Sequence, residues 1–226
     1  IKAKEIFEEK GASEAIKYLE SDEALQNNQD MIKKILDKNN LKAMLYTTEI
    51  QYNKAVQIYE KNLKLATLEL GDEHELTLEI IHYLAQSHFN LGDYEKAKKL
   101  SLKVFEVNIN TLGLEHPDTL NSLDWLASVN LESGTNQEAK KLFLQAVKLR
   151  KKVFSDAHQS TLVSMHYLAI SYSRLGEYQK AKEVIDKALL ITKNNYGSKH
   201  LSTQYIMLNK VVNLSSLSKF QNAIEL

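Results

Sequence analysis

Apolar side chains at Ile81, Leu84 and Ala85 are followed in register by His88. This i, i+3, i+4, i+7 spacing puts the four on one buried face of a helix. The helix runs from about Thr77 into Leu91-Gly92, where glycine takes the left-handed conformation that ends a helix. A second helix is predicted from Tyr94, with Ala97 and Leu100 continuing the apolar stripe. The whole pattern returns every 42 residues. First helices are expected from Thr119, Thr161 and Thr203, and second helices from Asn136, Tyr178 and Phe220, with an earlier one from Tyr52. Gly134 and Gly176 repeat the stop at Gly92, whereas Ser218 predicts a looser turn in the last repeat. Ala55, Ala97, Ala139, Ala181 and Ala223 keep the same interval. A small side chain at each of these positions lets paired helices approach closely.

The linkers keep the period as well. His74, His116, His158 and His200 stand 42 residues apart. Gly71, Gly113, Ser155 and Gly197 precede them, and Thr77, Thr119, Thr161 and Thr203 follow. Pro117 comes directly after His116, at the first helical position that proline favours. Each histidine is therefore expected at or just before a helix start, with the threonine in its first turn. A period of 20–50 residues marks a repeat protein, whose units bury their apolar faces on one another.

The N-terminal region is less regular. Short helices are predicted over Ile1 to Lys10 and Ser13 to Leu19, with a turn or cap at Ser21-Asp22-Glu23. A long helix is predicted over Asp30 to Ile50, its Ala43 one period before Ala85. The expected division is an N-terminal helical cap over residues 1–28 and an array of about four and a half repeats over 29–226, truncated at its C-terminal end.

Composition narrows the function. Lysine plus arginine equals aspartate plus glutamate at 29 each, which removes the basic footprint of a nucleic-acid binder or a basic membrane-surface protein. There is no cysteine, so disulfides and cysteine-held metals are excluded. A reducing, cytoplasmic setting fits. No apolar run approaches the length of a membrane span. There is no phosphate loop, zinc-protease motif or calcium loop, and no enzyme activity or cofactor is expected.

The small-x-x-Leu-Ala-x-x-His/Tyr-x-x-x-Gly-x-Tyr-x-x-Ala pattern resembles the tetratricopeptide repeat. The 42-residue interval and the linker from Gly113 to Leu120 look like its kinesin-light-chain type. The resemblance covers roughly residues 40–226. It implies an all-α fold, a right-handed superhelical solenoid of antiparallel helix pairs, with first helices lining a concave groove that binds a peptide or partner protein.

On that reading Glu79, His82, Gln86, Phe89 and Asn90 line the groove in one repeat. Asn121, Asp124, Ser128, Leu131 and Glu132 do so in the next, then Val163, His166, Ile170, Ser173 and Arg174, then Tyr205, Asn209, Val212 and Ser216. His82, Asp124 and His166 share one repeat position and read either as a polar wall or as a ladder of hydrogen-bonding groups. Catalysis by a histidine–aspartate pair is disfavoured, because no serine or cysteine nucleophile accompanies it. The linker histidines cannot share a metal, because successive repeats are separated by at least a helix packing distance of roughly 8–10 Å. Tyr83, Trp125 and Tyr167 form an aromatic file, either packed between helices or presenting an anchor. Arg174 is the one expected source of positive charge, so a strongly acidic ligand is disfavoured. Charge reversal at Asp124 or truncation of Arg174 is expected to weaken partner binding without unfolding.

The leading reading is a protein–protein interaction scaffold. One alternative is a sensory or regulatory array whose effector domain lies elsewhere in a longer chain. Another is a structural solenoid that self-associates through its ends.

Overall fold

A computed structural model describes residues 22–204, 206–208 and 210, with side chains from Asp30 onward. The helices expected before Ser21, the groove residues Tyr205, Asn209, Val212 and Ser216, and Ser218, Phe220 and Ala223 lie outside the described residues.

The described residues form helices joined by short turns. They are α1 (Asp22–Thr48), α2 (Tyr52–Glu69), α3 (Glu75–Asn90), α4 (Tyr94–Leu112), α5 (Pro117–Glu132), α6 (Asn136–Val153), α7 (Gln159–Arg174) and α8 (Tyr178–Tyr196). Helix resumes at Leu201. The second helices begin where the 42-residue interval predicts. At the N-terminal end the structure differs. Helix α1 is one 27-residue element, so the expected boundary after residue 28 falls inside it. Asp22 and Glu23, expected in a turn or cap, are the first two residues of the helix. Nothing between Asp22 and Thr48 is glycine or proline, so nothing there interrupts the helix.

The chain forms two compact units, the first ending at Leu91 and the second beginning at Gly92. In the first, α1 packs on α2 and α2 on α3. Its core includes Leu36, Ala43, Tyr59, Ile80 and Ile81. In the second, each helix from α4 to α8 packs on the next. Leu131, Phe143 and Leu168 close one core cluster there, and Met165, Ile185 and Ile206 close another. Ala55, Ala97, Ala139 and Ala181 are fully buried, as expected of a small residue at a close helix approach.

The histidines at the linkers are helix caps. The Nδ1 of His74 accepts the backbone N–H of Leu76 at 3.1 Å, His116 that of Asp118 at 3.2 Å, His158 that of Ser160 at 3.3 Å and His200 that of Ser202 at 3.2 Å. Each bond satisfies one of the orphan N–H groups of a helix start. It also fixes the ring tautomer, because an accepting Nδ1 leaves the proton on Nε2. An aromatic residue four positions earlier stacks on two of these rings, Phe154 on His158 with centroids 4.5 Å apart and Tyr196 on His200 at 4.9 Å. The periodic threonines are fully buried. In three of the four the Oγ1 donates back to the preceding segment: Thr119 to the Asn108 carbonyl (3.2 Å), Thr161 to Ser155 (2.8 Å) and Thr203 to Gly197 (2.9 Å).

Gly113 holds φ 85° and ψ 163° at the end of α4, a region open essentially to glycine alone. In the equivalent slot Ser155 opens its φ to 157°, closer to extended backbone, and still presents its carbonyl to Thr161.

Candidate functional site

Three successive helices of the second unit meet around Asp124. Asp124 lies on α5, Arg150 near the end of α6 and Ser164 on α7. The Arg150 side chain is only 3% exposed. Its Nε and Nη2 both donate to Asp124 Oδ2, at 2.9 and 2.8 Å, and Nη2 also donates to Asn121 Oδ1 at 2.8 Å. The Ser164 hydroxyl lies 3.0 and 2.8 Å from Asp124 Oδ1 and Oδ2. Burial pushes the Asp124 carboxyl up from its ordinary range, while the Arg150 guanidinium and the Ser164 hydroxyl pull it back down. A buried pair with this many hydrogen bonds fixes geometry more than it adds stability.

The sequence pattern missed Arg150 and Ser164. Arg150 sits within Lys148-Leu-Arg-Lys-Lys152, which reads as a solvated basic run. The signal was its register. Stepping by 42 from Ala66 gives Asn108, Arg150 and Thr192, and all four are buried. Asn108 has a related role in the preceding repeat, its Nδ2 donating to Ser122 Oγ at 3.3 Å.

The other expected groove residues separate by environment. Leu131 is a correction: it is 1% exposed and belongs to the core with Ala127, Phe143 and Leu168. The last turn of α5 directs it inward. Ile170 is half-buried against the same core. Ser128 donates its hydroxyl to the Asp124 carbonyl within α5. Asn121 and Val163 are exposed, and His166 is half-buried. The exposed Arg174 reaches α5, with Nη1 donating to the Leu131 carbonyl at 2.6 Å and Nη2 to Glu132 Oε1 at 2.7 Å. It thus neutralises the carbonyl end of α5.

In the first unit, Glu79 and Asn90 are exposed, and His82, Gln86 and Phe89 are half-buried. His82 in the first unit and His166 in the second are both held below the ordinary imidazole range by burial. The aromatic file splits along its two readings in favour of packing. Tyr83 stacks on Tyr59 with centroids 5.8 Å apart, and Tyr167 on Phe143 at 5.5 Å. Trp125 is half-buried. Burial, then the nearby Glu79, raises the Tyr83 phenol.

Two clefts open along α7, one shared with α5 and the other with the helix that resumes at Leu201. One, of about 430 Å³, is lined by Asn121, Asp124, Arg150, His158, Gln159 and Val163, with Ser160. The other, of about 180 Å³, is largely apolar, with Leu162, Val163, His166, Tyr167 and Ile206 in its wall and Gln159 and Ser202 at its edge. Gln159 and Val163 belong to both. Among the described residues no group of three or more His, Asp or Glu is placed to hold a metal, and no helix is long and apolar enough to cross a membrane.

The tetratricopeptide repeat profile matches residues 34–100, 78–152 and 118–191, well over half the chain. Among solved structures, a kinesin light chain-like protein of Podosopora anserina with nearly identical TPR-like repeats is 28% identical. The match covers 84% of this chain and 90% of that one, with a TM-score of 0.74. BtubC (BKLC) from P. vanneervenii is 16% identical over 90% of this chain and 81% of its own, at TM-score 0.71. A Rap protein complexed with Competence and Sporulation Factor is 12% identical over 87% of this chain and 56% of its own, at TM-score 0.60. No curated protein matches the sequence significantly. Repeats of this kind are in general protein–protein interaction scaffolds and not catalysts. With the period, the helix pairs and the profile in agreement, the chain belongs to the tetratricopeptide repeat family, in its kinesin-light-chain-like form.

Proposed function

We propose that the face running along α7, from α5 to the helix that resumes at Leu201, holds an extended segment of a partner protein. The observation that carries this reading is the pair of adjoining clefts that share Gln159 and Val163, one edged by polar side chains and the other walled by Leu162, Tyr167 and Ile206. Adjoining subsites along one helix suit an extended peptide, whose main chain and side chains can be read together. The larger cleft falls within the range of about 300–1,000 Å³ usual for ligand sites, and the smaller falls below it. The smaller one therefore suits a single side chain. The Rap protein, a structural neighbour of the same fold, is seen in complex with Competence and Sporulation Factor, so an array of this architecture can hold a bound partner.

The test places a photo-crosslinking amino acid at Val163 on this face, and as a control at Lys99 on α4, which is exposed. In an extract of the source organism, a polypeptide captured through position 163 and not through 99 supports the reading. Equal capture at both positions, or capture through 99 alone, defeats it.

A further inference from the structure

The two clefts differ in chemistry, and the difference specifies what each accepts. In the larger cleft, three side chains carry N–H groups with no partner among the described residues. Asn121 uses its Oδ1 for Arg150, which leaves the Nδ2 amide hydrogens free. Gln159 uses its Oε1 for the Ser202 hydroxyl at 3.1 Å, which leaves Nε2 free. His158 accepts at Nδ1 from the Ser160 N–H and from its hydroxyl at 2.7 Å, so its proton is on Nε2. These donors stand beside Asp124, whose Oδ1 receives only the Ser164 hydroxyl and keeps a lone pair to spare.

A ligand group for this cleft must therefore accept from neutral donors and also donate toward a carboxylate. The formal charges of Arg150 and Asp124 cancel within their 2.8 Å contact, and no other lysine or arginine among the described residues lines the cleft. A carboxylate brought in would face Asp124 with no cation left to meet it. An ammonium would face Arg150 and the three N–H donors. The carboxylate would have no cation to meet it, and the ammonium, though it could donate to Asp124, would leave the N–H donors unmet beside a second cation; such mismatches weaken an interface. A carboxamide carries a carbonyl acceptor and two N–H donors with no charge, and it matches the set. The smaller cleft has an apolar wall, a volume of about 180 Å³, and a His166 ring that burial keeps neutral. It suits one aliphatic side chain.

We propose that this face reads a carboxamide next to an aliphatic residue: a partner segment carrying Asn or Gln in the cleft between α5 and α7, adjacent to Leu, Ile, Val or Met in the cleft between α7 and the helix resuming at Leu201. This rests on the peptide-binding reading above and sharpens it to a sequence preference. The test uses a random peptide library displayed on phage, selected against the whole chain and against two variants. Gln159→Glu keeps the acceptor that Ser202 uses and replaces the free donor with an oxygen, at a helix start where a carboxylate is favoured. Val163→Asp places charge on the shared wall, at a position already exposed. The expected result is enrichment of peptides with the paired carboxamide and aliphatic residues, bound about tenfold or more weakly by either variant, and weakened similarly when the peptide Asn or Gln becomes Asp or Glu. Peptides that are sensitive to Val163→Asp but lack the pair, or that tolerate Asp for Asn, overturn the preference and leave the peptide-binding face standing. Peptides indifferent to both variants, or no enrichment at all, overturn both.

Discussion

Removing the Arg150 side chain leaves the Asp124 carboxylate buried beside Ser164 with no counter-charge, and reversing Asp124 leaves a guanidinium in the same plight. Either change strands a charge that is nearly inaccessible to water, at a cost of about 3–5 kcal/mol. Arg150→Ala should lower the urea midpoint accordingly, whereas Arg150→Met combined with Asp124→Leu should recover most of the loss. If the single change left stability untouched, the cluster would not be a tie between the three helices. Charge reversal at Asp124, which on the sequence alone reads as a clean test of binding, is therefore a test of folding. The buried histidines give a pH signature. Burial lowers His82 and His166 from 6.5, so below that value the unfolded chain binds more protons than the folded one. Their stabilisation is complete above about pH 6.5 and is lost as pH falls through the folded-state values. Denaturation midpoints measured from pH 7.5 to 5 should fall, and His166→Gln should flatten the slope. An unchanged slope would mean that the ring is solvated. Asp124 works in the opposite sense at lower pH. Its raised carboxyl favours the folded chain more as acid is added.

A helix pair in this protein is defined at its ends as much as along its length. α3, α5 and α7 each open on a histidine cap, and α5 and α7 are also tied by a buried threonine to the segment before them. Each closes on a glycine such as Gly134, at φ 83°. A methyl group added there meets nothing within 4 Å, so the only penalty of Gly134→Ala is conformational, roughly 1–2 kcal/mol for the left-handed region. Thermal melting should register that loss without any change in the folded structure. A loss much above that range would mean a contact the backbone does not show. The sequence made these ends legible because each depends on one residue type at one interval. It did not reveal the direction of Leu131, because an aliphatic side chain at the last turn of a helix serves a wall or a core equally well until the neighbouring helix is placed. Nor did it separate Arg150 from the lysines around it, since charge runs look alike until register shows which member points inward.

At the scale of the molecule, periodicity carried the architecture, and departures from periodicity carried the chemistry. The positions that repeat faithfully, histidine, threonine, alanine and glycine, proved to be caps, ties, close approaches and stops. Positions that vary from one repeat to the next, such as Asn108 and Arg150, make the bonds that distinguish one helix pair from another, and the equivalent serines Ser122 and Ser164 take different partners in consequence. Asn40, His82, Asp124 and His166 occupy one such position, which is why a ladder of like groups could be expected from the sequence and a set of unlike environments was found.

The chain invites recombination, since cutting out residues 135–176, one full interval of 42, would join glycine to the right kind of helix start. The Asp124 cluster makes that exchange unequal. Asp124 would stay behind while Arg150 and Ser164 left together, so a shortened chain that preserved every cap would carry a stranded carboxylate. Modules drawn from this protein for grafting, or gained and lost during its evolution, should have their seams outside residues 121–164, the span that these three helices share.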